Sequence, residues 1–219
     1  MSGAAGAAPD AAVPAPAFAP TVCVAMTGAS GIQYALRLIE CLLGAGCRVQ
    51  VLMTKPARIV MGMDTDLPVP SRTADTEREF AARYGAREGQ LRAFGQEEWT
   101  APIASGSGVP DAMVVCPCTT GTLASLAAGT CDNLLERAAD CVLKEGRRLV
   151  VMPREMPFST IHLENMLRLA RAGAVVMPPN PAFYNLPKTV EELVDFVVAR
   201  VLDRLDVPQT LMPRWGGER

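Results

Sequence analysis

Short, solid apolar runs alternate along this chain with longer stretches in which apolar residues recur every three or four positions. The runs are Thr21–Met26 (TVCVAM), Arg48–Met53 (RVQVLM), 112–116 (AMVVC), 148–152 (RLVVM) and the shorter Leu91–Phe94 and 174–177. Such runs, rich in Val and bounded by turn residues, predict buried strands. The helical period predicts helices over 34–43, 55–63, 74–84, 119–128, 133–144, 159–170 and 189–205. Pro117 is expected to end the 112–116 strand. Ser159 is expected to cap its helix. Thr189, with Glu192 three residues on, is expected to form a capping box. Residues 95–110, rich in Gly, Ser and Pro, read as a long loop, and loops of that length are often functional.

Strand, glycine turn, helix and strand in quick succession make one βαβ unit, which implies a parallel sheet with a right-handed crossover. The order repeats, so the fold class is α/β: a three-layer, doubly wound parallel sheet in a single domain over residues 21–207. Residues 1–20 read as a disordered Ala/Pro-rich tail, and 208–219 as a polar tail carrying Trp215. Ligands of such sheets bind beyond the carboxyl ends of the strands. The segments to search are therefore 27–31, 54–66, 116–120 and 153–158.

Composition narrows the function classes. A chain of 219 residues, 49% of them hydrophobic, fits one generous domain with a sizeable core. Lys plus Arg number 21 against 23 Asp plus Glu, so no basic surplus attracts nucleic acid. Aromatics at 5% argue against a base-stacking platform. The first twenty residues lack a positive segment and an unbroken apolar stretch, so they read as neither a secretory signal nor a membrane span. The seven cysteines lie mostly inside apolar runs and read as small buried hydrophobes of a reduced, cytoplasmic protein. Cys116-Pro117-Cys118 is too tight for a usual zinc hook, and a single histidine, His162, leaves a Cys/His metal site short of ligands. His162 falls within a predicted helix without a triad partner motif, and reads as a capped or core residue.

Two turns carry candidate chemistry. Thr27-Gly28-Ala29-Ser30-Gly31 places small residues at a helix start, where backbone N–H groups and the helix dipole favour an anion such as phosphate. It is neither a dinucleotide fingerprint nor a Walker loop, and a plain tight turn would look the same. Cys116 to Thr122 (CPCTTGT) brings three hydroxyls to a second strand-to-helix turn, suited to phosphate or to capping alone. Two such turns in one sheet favour a nucleotide-like ligand. Pro153-Arg154-Glu155-Met156-Pro157 adds a guanidinium and a carboxylate at the same predicted edge, and Arg137 stands in an otherwise apolar helix.

Taken together, GASG at 28–31, CPCTTGT at 116–122, LLERAAD followed by Lys144, PREMPFS at 153–159 and FYNLPK at 183–188 are similar to the flavin prenyltransferases, the UbiX family. The likeness covers roughly residues 21–215. The resemblance implies a flavodoxin-like or Rossmann-like fold, a homo-oligomer (a dodecamer built from trimers), and reduced FMN as a bound substrate. It implies transfer of a dimethylallyl group from dimethylallyl monophosphate to flavin N5, then closure of a fourth ring at C6. The product, prenylated FMN, would serve a UbiD-type decarboxylase, as in ubiquinone biosynthesis.

Carried over residue by residue, the resemblance puts Gly28, Ala29, Ser30, Thr54, Ser105, Thr119, Thr120 and Arg137 at the FMN. It puts Lys144, Arg154, Tyr184 and Arg200 on the prenyl phosphate, some of them across a subunit boundary. Glu155 matches the acid/base carboxylate, Asp64, Lys144 and Tyr184 join it as catalytic residues, and Trp99 and Trp215 match the aromatics of the prenyl pocket. One departure stands out: the family pattern has Glu where this chain has Asp64. The charge stays on a shorter side chain, and a misplacement of about 1 Å can be worth about 100-fold in rate. Two alternatives are an FMN-dependent cysteine decarboxylase, which would need an active-site His and a PxMN-like motif where this chain reads PREMPFS, and a non-catalytic flavin carrier.

Overall fold

The structure, a computed structural model, describes residues 18–212, so Trp215 and residues 1–17 lie outside the described chain. Six strands form one sheet: β1 (Thr21–Met26), β2 (Arg48–Met53), β3 (Leu91–Phe94), β4 (Ala112–Cys118), β5 (Arg148–Pro153) and β6 (Val175–Val176). Their order is β3-β2-β1-β4-β5-β6 and every pair is parallel. Seven helices complete the described chain: α1 (Ile32–Gly44), α2 (Lys55–Asp64), α3 (Thr73–Tyr84), α4 (Thr120–Ala128), α5 (Leu134–Lys144), α6 (Thr160–Arg171) and α7 (Val190–Arg204).

The pleat of β1 explains the three layers. Val22, Val24 and Met26 face a core shared with α1, α2, α3 and α7, while Cys23 and Ala25 face one shared with α4, α5 and the 101–103 segment. Strands buried on both faces need solid apolar runs, which is what β1 and β4 supply. Phe18, ahead of β1, is buried beneath the guanidinium of Arg87, 4.6 Å from its ring centre. The 95–110 segment is tightened by two 3-10 turns, at Pro102–Ala104 and Gly106–Gly108. No helix among the described residues is long and apolar enough to cross a membrane.

Two expectations need correction. Pro117 does not end β4: the strand runs on to Cys118, which pairs with Pro153 after a register shift. A proline has no ladder donor, and an irregular register is where a strand tolerates one. Glu192 does not close a capping box, because its carboxylate accepts from the Lys188 N–H at 2.6 Å, one residue before the cap. Thr189 itself caps α7 by accepting from the Glu192 N–H. The capping box of the described chain is instead at Ser159, with His162 as its other member. That bond assigns the lone histidine to the start of α6.

Candidate active site

The sheet order reverses between β1 and β4, so the chain leaves their carboxyl ends in opposite directions and opens a crevice there. Thr27 closes the floor of that crevice. Its hydroxyl, fully buried, donates to the Pro117 carbonyl at 2.7 Å and accepts from the Thr119 N–H at 2.8 Å. One side chain thus ties the turn after β1 to the turn after β4. The residue was visible in sequence only as part of a turn; a hydroxyl placed between an apolar run and a glycine was its one signal.

Helices begin along this same edge. Thr54 caps α2 by accepting from Ala57 N–H, and Thr119 caps α4 by accepting from Thr122 N–H, each at 3.1 Å. A single hydroxyl satisfies one of the four free N–H groups of a helix start, leaving others to face an anion. Thr120 opens α4 and, like Thr119, is half-buried. Cys116 and Cys118, in β4 below, are buried, and burial pushes both thiols far above the usual range, so neither serves as a thiolate.

α1 differs, because Gly31 sits at its N-cap with φ of 108° and no side-chain cap of its own. Asp64, at the end of α2, supplies the acceptor: its carboxylate takes the Gly31 N–H at 2.7 Å and the Ser30 hydroxyl at 3.1 Å. Asp64, marked in sequence for its length, therefore lies against Ser30. Gly28 faces Pro56, where an added Cβ would stand 2.4 Å from the proline Cβ. The missing side chain at Gly28 is thus required by the packing of α2, and Ala29 beside it is buried.

The remaining candidates fall into three places. Arg154 and Glu155 follow β5 at the crevice edge, both exposed, with the Arg154 N–H on the Cys118 carbonyl at 3.1 Å. Trp99, Ser105, Arg137 and Lys144 line the flank formed by α5 and the 95–110 segment. Arg137 donates from Nε to the Ala104 carbonyl at 3.0 Å and pairs with Asp140 at 2.8 Å. Trp99 is 45% exposed. Gln96, missed in sequence, pins this segment to the edge by accepting from the N–H groups of Lys55 and Leu134. Lys144 ends α5, about 15 Å of helix below its start. There it pairs with Glu145, whose carboxylate raises the ammonium pKa. It therefore lies toward the opposite edge of the sheet from Glu155. Tyr184 and Arg200 line an open groove of about 1220 Å³ beside α7. Tyr184 stacks edge-on against Phe196, and Arg200 pairs with Asp203 at 3.0 Å. One chain thus gathers the turn residues, Asp64, Arg154 and Glu155 at one edge, but keeps Lys144 and Arg200 apart from them.

Hydroxyl-capped helix starts and an exposed arginine around the crevice fit an anionic ligand such as the phosphate of FMN. The sequence profile of the Flavoprotein family matches residues 14–202. The flavin prenyltransferase UbiX of Pseudomonas aeruginosa is 54% identical over 195 residues, 89% of this chain and 93% of that protein. The crystal structure of AnUbiX (PadA1) in complex with FMN and dimethylallyl pyrophosphate superposes with a TM-score of 0.81 at 37% identity, over 91% of this chain and 99% of that one. A dodecameric FMN-dependent UbiX-like decarboxylase from Escherichia coli O157:H7 gives 0.79 at 42% identity, over 90% and 100%. With a crevice built at the β1/β4 switch point and relatives this similar over nearly their whole length, the chain belongs to the Flavoprotein family and, within it, to the flavin prenyltransferases of the UbiX type.

Proposed function

We propose that this protein is a transferase that moves a dimethylallyl group from a dimethylallyl phosphate ester, the monophosphate in our reading, to reduced FMN, giving prenylated FMN. The observation that carries the proposal is the near-complete match to a UbiX-type fold crystallised with both FMN and dimethylallyl pyrophosphate. FMN is bound here as a substrate. Gly28, Ala29, Ser30, Thr54, Thr119 and Thr120 hold it through N–H groups and hydroxyls at the crevice, with Ser105 and Arg137 closing from the α5 flank.

Breaking the allylic C–O bond leaves its electron pair on the phosphate, so the leaving group must be neutralised. Arg154, Lys144 and Arg200 supply the charge and Tyr184 a hydrogen bond. Trp99, and Trp215 beyond the described residues, offer π faces to the developing allylic cation. Glu155 takes the proton lost at N5 as the N–C bond forms. Asp64 acts through Ser30, which it holds. The cations that one chain keeps apart come together when copies assemble, and the dodecameric relative supports an assembly of that kind. Seven free cysteines suit a cytoplasmic setting. A UbiD-type decarboxylase is the proposed consumer of the product.

The test is anaerobic incubation with reduced FMN and either dimethylallyl ester, followed by mass analysis of the released flavin. A flavin heavier by one five-carbon unit is expected. Unchanged flavin that stays bound would replace the transferase with a flavin carrier.

A further inference from the structure

The first turn of α1 and the last residue of α2 hold each other in both directions. The Asp64 carboxylate takes the Gly31 N–H at 2.7 Å and the Ser30 hydroxyl at 3.1 Å. In return the Gln33 amide Nε2 donates to the Asp64 backbone carbonyl at 2.8 Å. That carbonyl is one of the acceptors a helix leaves unmatched at its end. Thr65 secures the same end of α2, its backbone N–H and its hydroxyl both donating to the Met61 carbonyl, at 3.0 and 2.7 Å. At its other end, α2 is pressed by Pro56 against Gly28, where no Cβ would fit.

An aspartate has one methylene less than a glutamate with which to absorb an error in backbone position. Where its carboxylate lands is therefore decided by where its main chain is held, and Gln33 holds it. We propose that Gln33 is a positioning residue for the flavin chemistry: it fixes the end of α2 so that the short Asp64 carboxylate meets Ser30 and Gly31. This rests on the flavin prenyltransferase reading for its catalytic consequence, but not for its geometry.

The experiment combines amide hydrogen exchange at Gly31 with prenyl-transfer kinetics in Gln33→Leu, Gln33→Glu, Asp64→Glu and the Gln33→Leu/Asp64→Glu double variant. Both Gln33 variants are expected to speed Gly31 exchange roughly tenfold or more, as for loss of a hydrogen bond to a charged acceptor. They are expected to lower kcat by about ten- to a hundredfold, with the KM for FMN little changed. The double variant is expected to recover most of the rate, because the longer acid reaches its partners without the clamp. Gly31 exchange unchanged in both Gln33 variants overturns the inference, whatever the wild type does with flavin. Absence of rescue by Asp64→Glu overturns it as well. If exchange responds as expected but the wild type makes no prenylated flavin, the transferase reading fails and the clamp geometry stands.

Discussion

Replacing Thr27 by Val removes one oxygen and keeps the shape, in a side chain only 1% exposed. Two hydrogen bonds go with it, to the Pro117 carbonyl and from the Thr119 N–H. The Pro117 carbonyl keeps a second partner, the Thr27 N–H at 3.2 Å, so its loss is one ordinary bond, about 1 kcal/mol. The Thr119 N–H is half-buried and loses the hydroxyl it donates to, at a cost of about 1–2 kcal/mol. The sum, about 2–3 kcal/mol, corresponds to a fall in apparent Tm of about 4–12 °C for a domain of this size. The damage is local to the α4 turn, so FMN affinity should fall about tenfold alongside. Differential scanning fluorimetry at fixed protein concentration and FMN fluorescence titration measure the two effects. Thr27→Ser is the control: it keeps the hydroxyl and loses one buried methyl, about 1 kcal/mol, with FMN affinity preserved. A Thr27→Val protein with wild-type Tm and FMN affinity would refute the account of Thr27 as the tie between the two turns.

Gly28→Ala puts a Cβ 2.4 Å from that of Pro56, so α2 must shift; a loss of about 1–3 kcal/mol is expected, seen as a lower apparent Tm. Arg154→Ala should abolish prenyl transfer and leave FMN binding largely intact; equal loss of both in kinetics and titration would move Arg154 to the flavin or the fold. Burial pushes the Cys23 thiol from 9.0 up to about 12 and raises Cys116 and Cys118 in the same direction. An unfolded chain can ionise these thiols from about pH 9 while the native one resists to about pH 12, so stability should hold up to about pH 9 and decline between those values. Thermal melts across that range check the sign, and a midpoint rising with pH there would contradict it.

Much of the fold was legible because buried parallel strands must be solid apolar runs: β1, β2 and β3 begin and end where the sequence places them. β4 was misjudged because a proline signals a strand end only where the partner register is regular, and here it shifts. At the site, the turns and their hydroxyls could be read, and so could the oddity of Asp64. That Asp64 reaches Ser30 could not, because it depends on where α2 lies against the turn. That placement is set by Pro56 on Gly28 and by Gln33 on Asp64, contacts between residues 28 and 31 apart in sequence. The separation of Lys144 from Glu155 was invisible for a similar reason: a helix of known length points its end to an edge only once the sheet order is fixed.

The placement of Lys144 at the far end of α5 has a genetic consequence on the proposed assignment of roles. When a site draws its parts from different copies, a defect belongs to a position in the assembly and not to a polypeptide. Chains carrying Lys144→Ala and chains carrying Arg154→Ala, each inactive alone, should regain part of the activity when co-expressed, because some mixed sites receive both intact residues. Two loss-of-function alleles would then complement within one gene, and diluting the mixed assembly until it dissociates should erase the recovery.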